Sequence, residues 1–121
     1  MRIEEEYQNI VVEYLDGLCV IDESIRFTAI EPSLYLSSER QKGRKKKMGV
    51  RPGFPDLLIV MPPMLFFIEM KKENSTMTNE QPNVFPKIQE CNVPVFIAHD
   101  PIEALDIIHD MMDKTGRNNF I

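Results

Sequence analysis

The chain has no tryptophan, only two cysteines and two histidines, and no uninterrupted apolar segment of membrane-spanning length. Each shortage removes a class of protein. Cys19 and Cys91 lie far apart with no CxxC or Cys/His spacing, which excludes a zinc site and leaves buried thiols as the expectation for both. His99 and His109 have no His or Cys at ligand spacing, so surface or capping roles are expected of them. The longest apolar stretch, residues 57–68, is broken by Pro62 and Pro63 and falls short of the roughly 20 residues a membrane helix needs. The opening residues Arg2, Glu4, Glu5 and Glu6 lack the apolar core of a secretory signal, and a cytoplasmic chain is expected.

Positive charge is also short: 14 basic residues face 19 acidic ones, for a net charge of −5. Taken whole, that disfavours a polyanion partner, but the distribution is lopsided. Seven of the cations, Arg40, Lys42, Arg44, Lys45, Lys46, Lys47 and Arg51, fall in residues 40–51 with no acid among them. Phosphate contacts act over about a Debye length, roughly 8 Å at physiological salt, so a local cationic segment suffices where the body is acidic. Such a run is as often a solvated face as a nucleic-acid contact, and its neighbours must decide.

What is present describes one folded domain over residues 1–121, with 43% hydrophobic and 27% charged residues. Tyr7, Ile10, Val11, Tyr14 and Leu18 recur at helical spacing and predict an amphipathic helix over residues 4–18. Residues 19–30 hold one strand or a bent pair, with Ile25, Phe27 and Ala29 alternating against polar neighbours. Residues 31–50 form a loop with room for a short helix at 38–47. Pro52, Gly53 and Pro55 then turn the chain into the strand-like run 57–60. Pro62 and Pro63 separate that run from the apolar residues 65–70, which predicts an antiparallel pair. A capping-box pattern at Thr78 and Gln81 starts a helix to about residue 91, with Pro82 tolerable in its first turn and Pro86 a kink or break. Residues 93–98 are a further core strand, and residues 101–113 a helix with Ile102, Leu105, Ile108 and Met112 on its inner face. The tail 115–121 is expected to be loosely held. The sum is an α/β fold, a mixed central sheet flanked by helices in the order α-β-β-β-α-β-α.

Chemistry concentrates in two short strings. Gly53, Phe54, Pro55 and Asp56 open one strand, and Glu69, Met70 and Lys71 close the next. A hairpin of this length brings the two carboxylates together, where they repel unless a hard cation sits between them, and oxygen donors suit Mg²⁺ or Mn²⁺. Glu69 and Lys71, two apart on a strand, share a face, so Lys71 enters the same pocket, where it can position a water, lower that water's pKa together with the metal, or stabilise charge on a phosphate. Met70 points to the core and leaves its backbone carbonyl as a further metal ligand. Either string alone is a plain turn or a solvated ion pair. An acid closing a run as apolar as Leu65, Phe66, Phe67 and Ile68, however, needs a partner.

The strings Arg51-Pro52-Gly53-Phe54-Pro55-Asp56, Phe67-Ile68-Glu69-Met70-Lys71 and Thr78-Asn79-Glu80-Gln81 resemble those of the VRR-NUC (virus-type replication-repair nuclease) family of the PD-(D/E)xK superfamily. The resemblance implies a restriction-endonuclease-like fold and a metal-dependent DNA endonuclease in which Asp56 and Glu69 hold the metal, Lys71 is catalytic and Gln81 assists from the following helix. It also implies an acidic residue on the first helix. Among Glu4, Glu5 and Glu6, helical geometry places Glu4 beside the buried face and makes it the expected further catalytic and metal ligand. Small members of the family imply a homodimer acting on branched DNA such as Holliday junctions, in the host cytoplasm if the source is a phage. For the dimer interface the chain offers Leu34, Tyr35 and Leu36, and Met111, Met112 and Phe120. The competing class is a non-catalytic DNA-binding or assembly module that keeps the fold and uses the basic run alone.

Overall fold

The computed structural model describes residues 3–30, 38–72 and 81–117. Its elements are α1 (Ile3–Ile21), β1 (Arg26–Ala29), α2 (Glu39–Lys47), β2 (Leu57–Met61), β3 (Met64–Met70), α3 (Gln81–Glu90), β4 (Val95–Ala98) and α4 (Pro101–Lys114). The four strands form one mixed sheet in the order β1-β2-β3-β4. The first two pairings are antiparallel and the third is parallel. Pro62 and Pro63, joined by a cis peptide, turn β2 into β3. The parallel partner β4 is reached by a crossover through α3, because parallel strands cannot be joined by a tight turn.

Alternation along the strands gives the sheet two unlike faces. Leu57, Ile59, Met61, Phe66, Ile68, Met70 and Ala98 point to one side and are buried. Val11, Leu15 and Leu18 of α1 and Ala104, Ile108, Met111 and Met112 of α4 join them in one core cluster. Phe66 meets Phe96 edge to face at 5.9 Å within this layer. On the other side, the register sets Thr28, Leu58, Phe67 and Val95 in one row across all four strands. The next row holds Glu69 with Ile97 beside it. Because Leu57 pairs with Ile68, Asp56 falls opposite Glu69 in that same row.

Several expectations about which side chains go inside are corrected. The α1 face is centred on Val11, Leu15 and Leu18, so Ile10 lies at its margin and is 48% exposed. In α4, Ile102 is 70% exposed while Ala104 and Met111 are buried, so the inner face is centred on Ala104, Ile108, Met111 and Met112. Met111 and Met112 belong to the core and are unavailable to an interface, whereas residues 34–36 and 120 lie outside the described residues. Residues 19–21 continue α1, and the strand begins only at Arg26. Cys19 is half-buried and Cys91, at the end of α3, is exposed, so neither is the fully buried thiol expected.

The segment after α4 is not loose at Arg117. Its guanidinium donates to Asp22 Oδ2 (2.9 Å), Ser24 Oγ (2.7 Å) and the Pro62 carbonyl (2.7 Å), tying the C-terminal end to two turns. His99 pairs with Glu103 in the first turn of α4, and His109 is hydrogen-bonded to Tyr14 across the α1–α4 contact.

Candidate active site

Asp56 is delivered by a stiff approach. Gly53 takes φ 101°, a left-handed conformation that glycine adopts without steric cost, and Pro55 is buried behind it. The Asp56 carbonyl accepts from the Ile30 amide at 2.9 Å, which ties the start of β2 to the chain leaving β1. Backbone and side chains then interlock with β3. The Asp56 amide donates to Glu69 Oε1 at 3.0 Å, and the Met70 amide donates to Asp56 Oδ2 at 2.9 Å. Each carboxylate is thereby held by the other strand's backbone.

Two further groups converge on Glu69. Gln81, the first residue of α3, donates through Nε2 to Oε2 at 2.6 Å, and Lys71 Nζ stands 3.7 Å from the same oxygen. At that distance Lys71 acts by charge, beyond ordinary hydrogen-bond range. Glu69, Lys71 and Gln81 are the buried polar residues of the described chain, 4%, 8% and 5% exposed.

Burial in such company disfavours negative charge. Desolvation first, and then the charge of Asp56, push the Glu69 carboxyl up to about 8, against the opposing pull of Gln81, Lys71 and the Asp56 amide. Asp56 is also raised, chiefly by desolvation. The Met70 amide, Glu69 and Lys71 oppose the rise, and the charge of Glu4 adds to it.

Glu4 therefore lies near enough for its field to reach Asp56, but it is not gathered with Asp56 and Glu69 as a ligand. Among the described residues no three His, Cys, Asp or Glu side chains form a metal-binding set. At Met70 the sequence pointed to the carbonyl as a metal ligand. The structure shows its amide at work on Asp56, while its side chain fills the core as expected. That role of a backbone donor was missed, since only the strand register reveals it. Pro86 neither breaks α3 nor displaces Gln81, which sits at the centre of the site. Thr78, the expected cap of that helix, lies outside the described residues.

The basic run forms α2 and the turn after it. Ser38 caps the helix and forms a full capping box with Gln41. The seven cations do not act as one set. Lys42 pairs with Glu39 at 3.5 Å, and Arg51 donates back to the Lys46 and Val50 carbonyls at the C-terminal end of the helix. Lys45 is partly buried, whereas Arg40, Arg44, Lys46 and Lys47 are exposed.

This geometry can be set beside known proteins. The model of the VRR-NUC domain family matches residues 16–100, most of the chain and all of the Asp56, Glu69, Lys71 and Gln81 cluster. The chain belongs to the VRR-NUC family. It is accordingly a nuclease-type, DNA-processing domain. A solved structure described as a VRR_NUC domain protein is similar at 20% identity, with TM-score 0.67 over 93% of this chain and 90% of that one, which agrees with the fold. No match was found among curated proteins. Glu4 precedes the matched span.

Proposed function

We propose that this VRR-NUC domain is an endonuclease of the PD-(D/E)xK type that requires Mg²⁺ or Mn²⁺ and hydrolyses DNA phosphodiesters. The observation that carries the proposal is the interlocked pair of Asp56 and Glu69 carboxylates with the Lys71 ammonium 3.7 Å from Glu69. The donor set fits a hard cation: two desolvated carboxylates whose proton affinity is raised, with no nitrogen or sulfur ligand beside them among the described residues. Mg²⁺ is commonly held by one or two carboxylates and completed by water and substrate phosphate, so a two-carboxylate site is sufficient.

Asp56 and Glu69 would hold the cation. When bound, it supplies Lewis acidity, polarising phosphoryl oxygen and lowering the pKa of water. The protein's own groups do the rest. The Asp56 and Met70 amides fix the carboxylates before substrate arrives, so no reorganisation is needed at the moment of reaction. Gln81 fixes the rotamer of Glu69 and favours its ionised form. Lys71, carried on the same strand face, supplies a buried positive charge for the negative charge that builds on the phosphate in the transition state.

Purified protein should nick DNA with Mg²⁺ or Mn²⁺ and be inactive in excess chelator. Asp56→Asn and Lys71→Ala should each reduce cleavage by at least about a hundredfold while leaving the protein folded. Undiminished cutting in EDTA, or by either variant, overturns the proposal. DNA binding with no cutting under any metal would favour the non-catalytic module instead.

Branched DNA is the proposed substrate class and a cytoplasmic homodimer the proposed working unit. One domain carries one carboxylate pair, whereas symmetric resolution of a four-way junction needs two, which a twofold dimer supplies. Solution mass and nick mapping on a synthetic junction test both. A monomer that cuts flaps and spares junctions refutes the dimer and leaves the metal site standing.

A further inference from the structure

Helix α2 is unusual in burying no side chain. Helices of nine residues are marginal in isolation, and most gain their stability from a packed apolar face that this one lacks. Turning 100° per residue, its two partly buried positions, Lys42 and Lys45, lie on one side. Arg40, Gly43, Arg44 and Lys47 all fall within about 50° of the opposite side. The outward face is therefore three exposed cations around a glycine.

That glycine has no explanation inside the chain. Glycine is disfavoured against alanine within a helix, and Gly43 is not among the glycines with positive φ. A Cβ built there would meet nothing within 4 Å. Gly17 in α1 is equally open, but Glu13 lies one turn before it, so that surface repels phosphate.

We propose that the face made by Arg40, Gly43, Arg44 and Lys47 is a contact for the backbone of duplex DNA. The sugar-phosphate chain lies against the helix at Gly43, and the three cations take the flanking phosphates. The proposal rests on the nuclease reading for the nature of the ligand, and deepens it by naming a surface that holds the duplex. Arg40 and Lys47 are seven residues apart, about 10 Å along the axis, enough to span adjacent phosphates of one strand. The side chains of the face offer donors only, and Gln41 is committed to the capping box, which suits the face to phosphate oxygens.

The test measures binding of the full-length protein to a short duplex in chelator across a salt series. Gly43→Ala should leave the melting temperature unchanged or raised while weakening binding about tenfold, because the added methyl strengthens the helix and holds the backbone away. Arg40→Ala, Arg44→Ala and Lys47→Ala combined should reduce the slope of log affinity against log salt by about 2 to 3, whereas Lys42→Ala with Lys45→Ala should reduce it by less than about 1. Gly43→Ala binding as well as or better than the natural chain overturns the proposal, as does an equal change of slope in the two multiple variants. Cleavage of the same duplex by the natural chain in Mg²⁺ is scored separately. Its absence alongside the expected binding pattern refutes the nuclease reading and leaves the α2 contact in place.

Discussion

Raising the pH should destabilise the metal-free protein, and the effect should centre on Glu69. Its carboxyl is pushed from the ordinary 4.5 up to about 8 by burial and by Asp56. Between these two values the folded chain keeps a proton that the unfolded chain has released, so stability falls as pH rises. One pKa unit corresponds to about 1.4 kcal/mol, so the expected loss from about pH 5 to about pH 8 is roughly 3 kcal/mol. That is a large share of the total stability of a domain this size, and corresponds to a drop in melting temperature on the order of 10 °C. Urea or thermal melts in chelator at a series of pH values measure it directly. Saturating Mg²⁺ should restore the loss at high pH, since a cation bound to the ionised pair stabilises the folded state by mass action. Glu69→Gln should flatten the profile, and Asp56→Asn should flatten it in part by removing one charge. A metal-free protein whose stability is level or rises from about pH 5 to about pH 8 would refute the reasoning.

Two other side chains give separate expectations. Gln81→Ala removes the 2.6 Å donor that favours ionised Glu69, so the activity profile should move to higher pH, and a kinetic pH series that stays in place counts against that role. Arg117→Ala removes three hydrogen bonds joining the end of α4 to Asp22, Ser24 and Pro62 and should cost roughly 2 kcal/mol in a urea melt, with DNA binding unchanged.

Much of this molecule is decided locally and can be read along the chain. Short continuous apolar runs marked β2 and β3, the paired prolines marked the turn between them, and helical spacing marked α1 and α4. Ser38 and Gln41 made α2 possible within a charged segment. Asp56, Glu69 and Lys71 stood out because each is a polar residue at the boundary of an apolar strand, and two-residue spacing is enough to put Glu69 and Lys71 on one face.

Other features depend on distances that run across the sequence, and only the tertiary structure decided them. The register of β2 on β3 sets Asp56 against Glu69 and turns the Met70 amide, rather than a side chain, toward the Asp56 carboxylate. The crossover through α3 brings Gln81 onto Glu69 despite the prolines at positions 82 and 86. Glu4 reaches Asp56 with its charge, yet the described residues gather no third carboxylate with Asp56 and Glu69, and the placement of α1 against the sheet is not a property of α1 alone. The basic run looked uniform in sequence and was divided by folding: Lys42 pairs with Glu39 and, like Lys45, is partly buried, Arg51 closes the end of α2, and Arg40, Arg44 and Lys47 are exposed. Periodicity fixes which residues share a side of an element, but what that side meets is set by the packing of elements far apart in the chain.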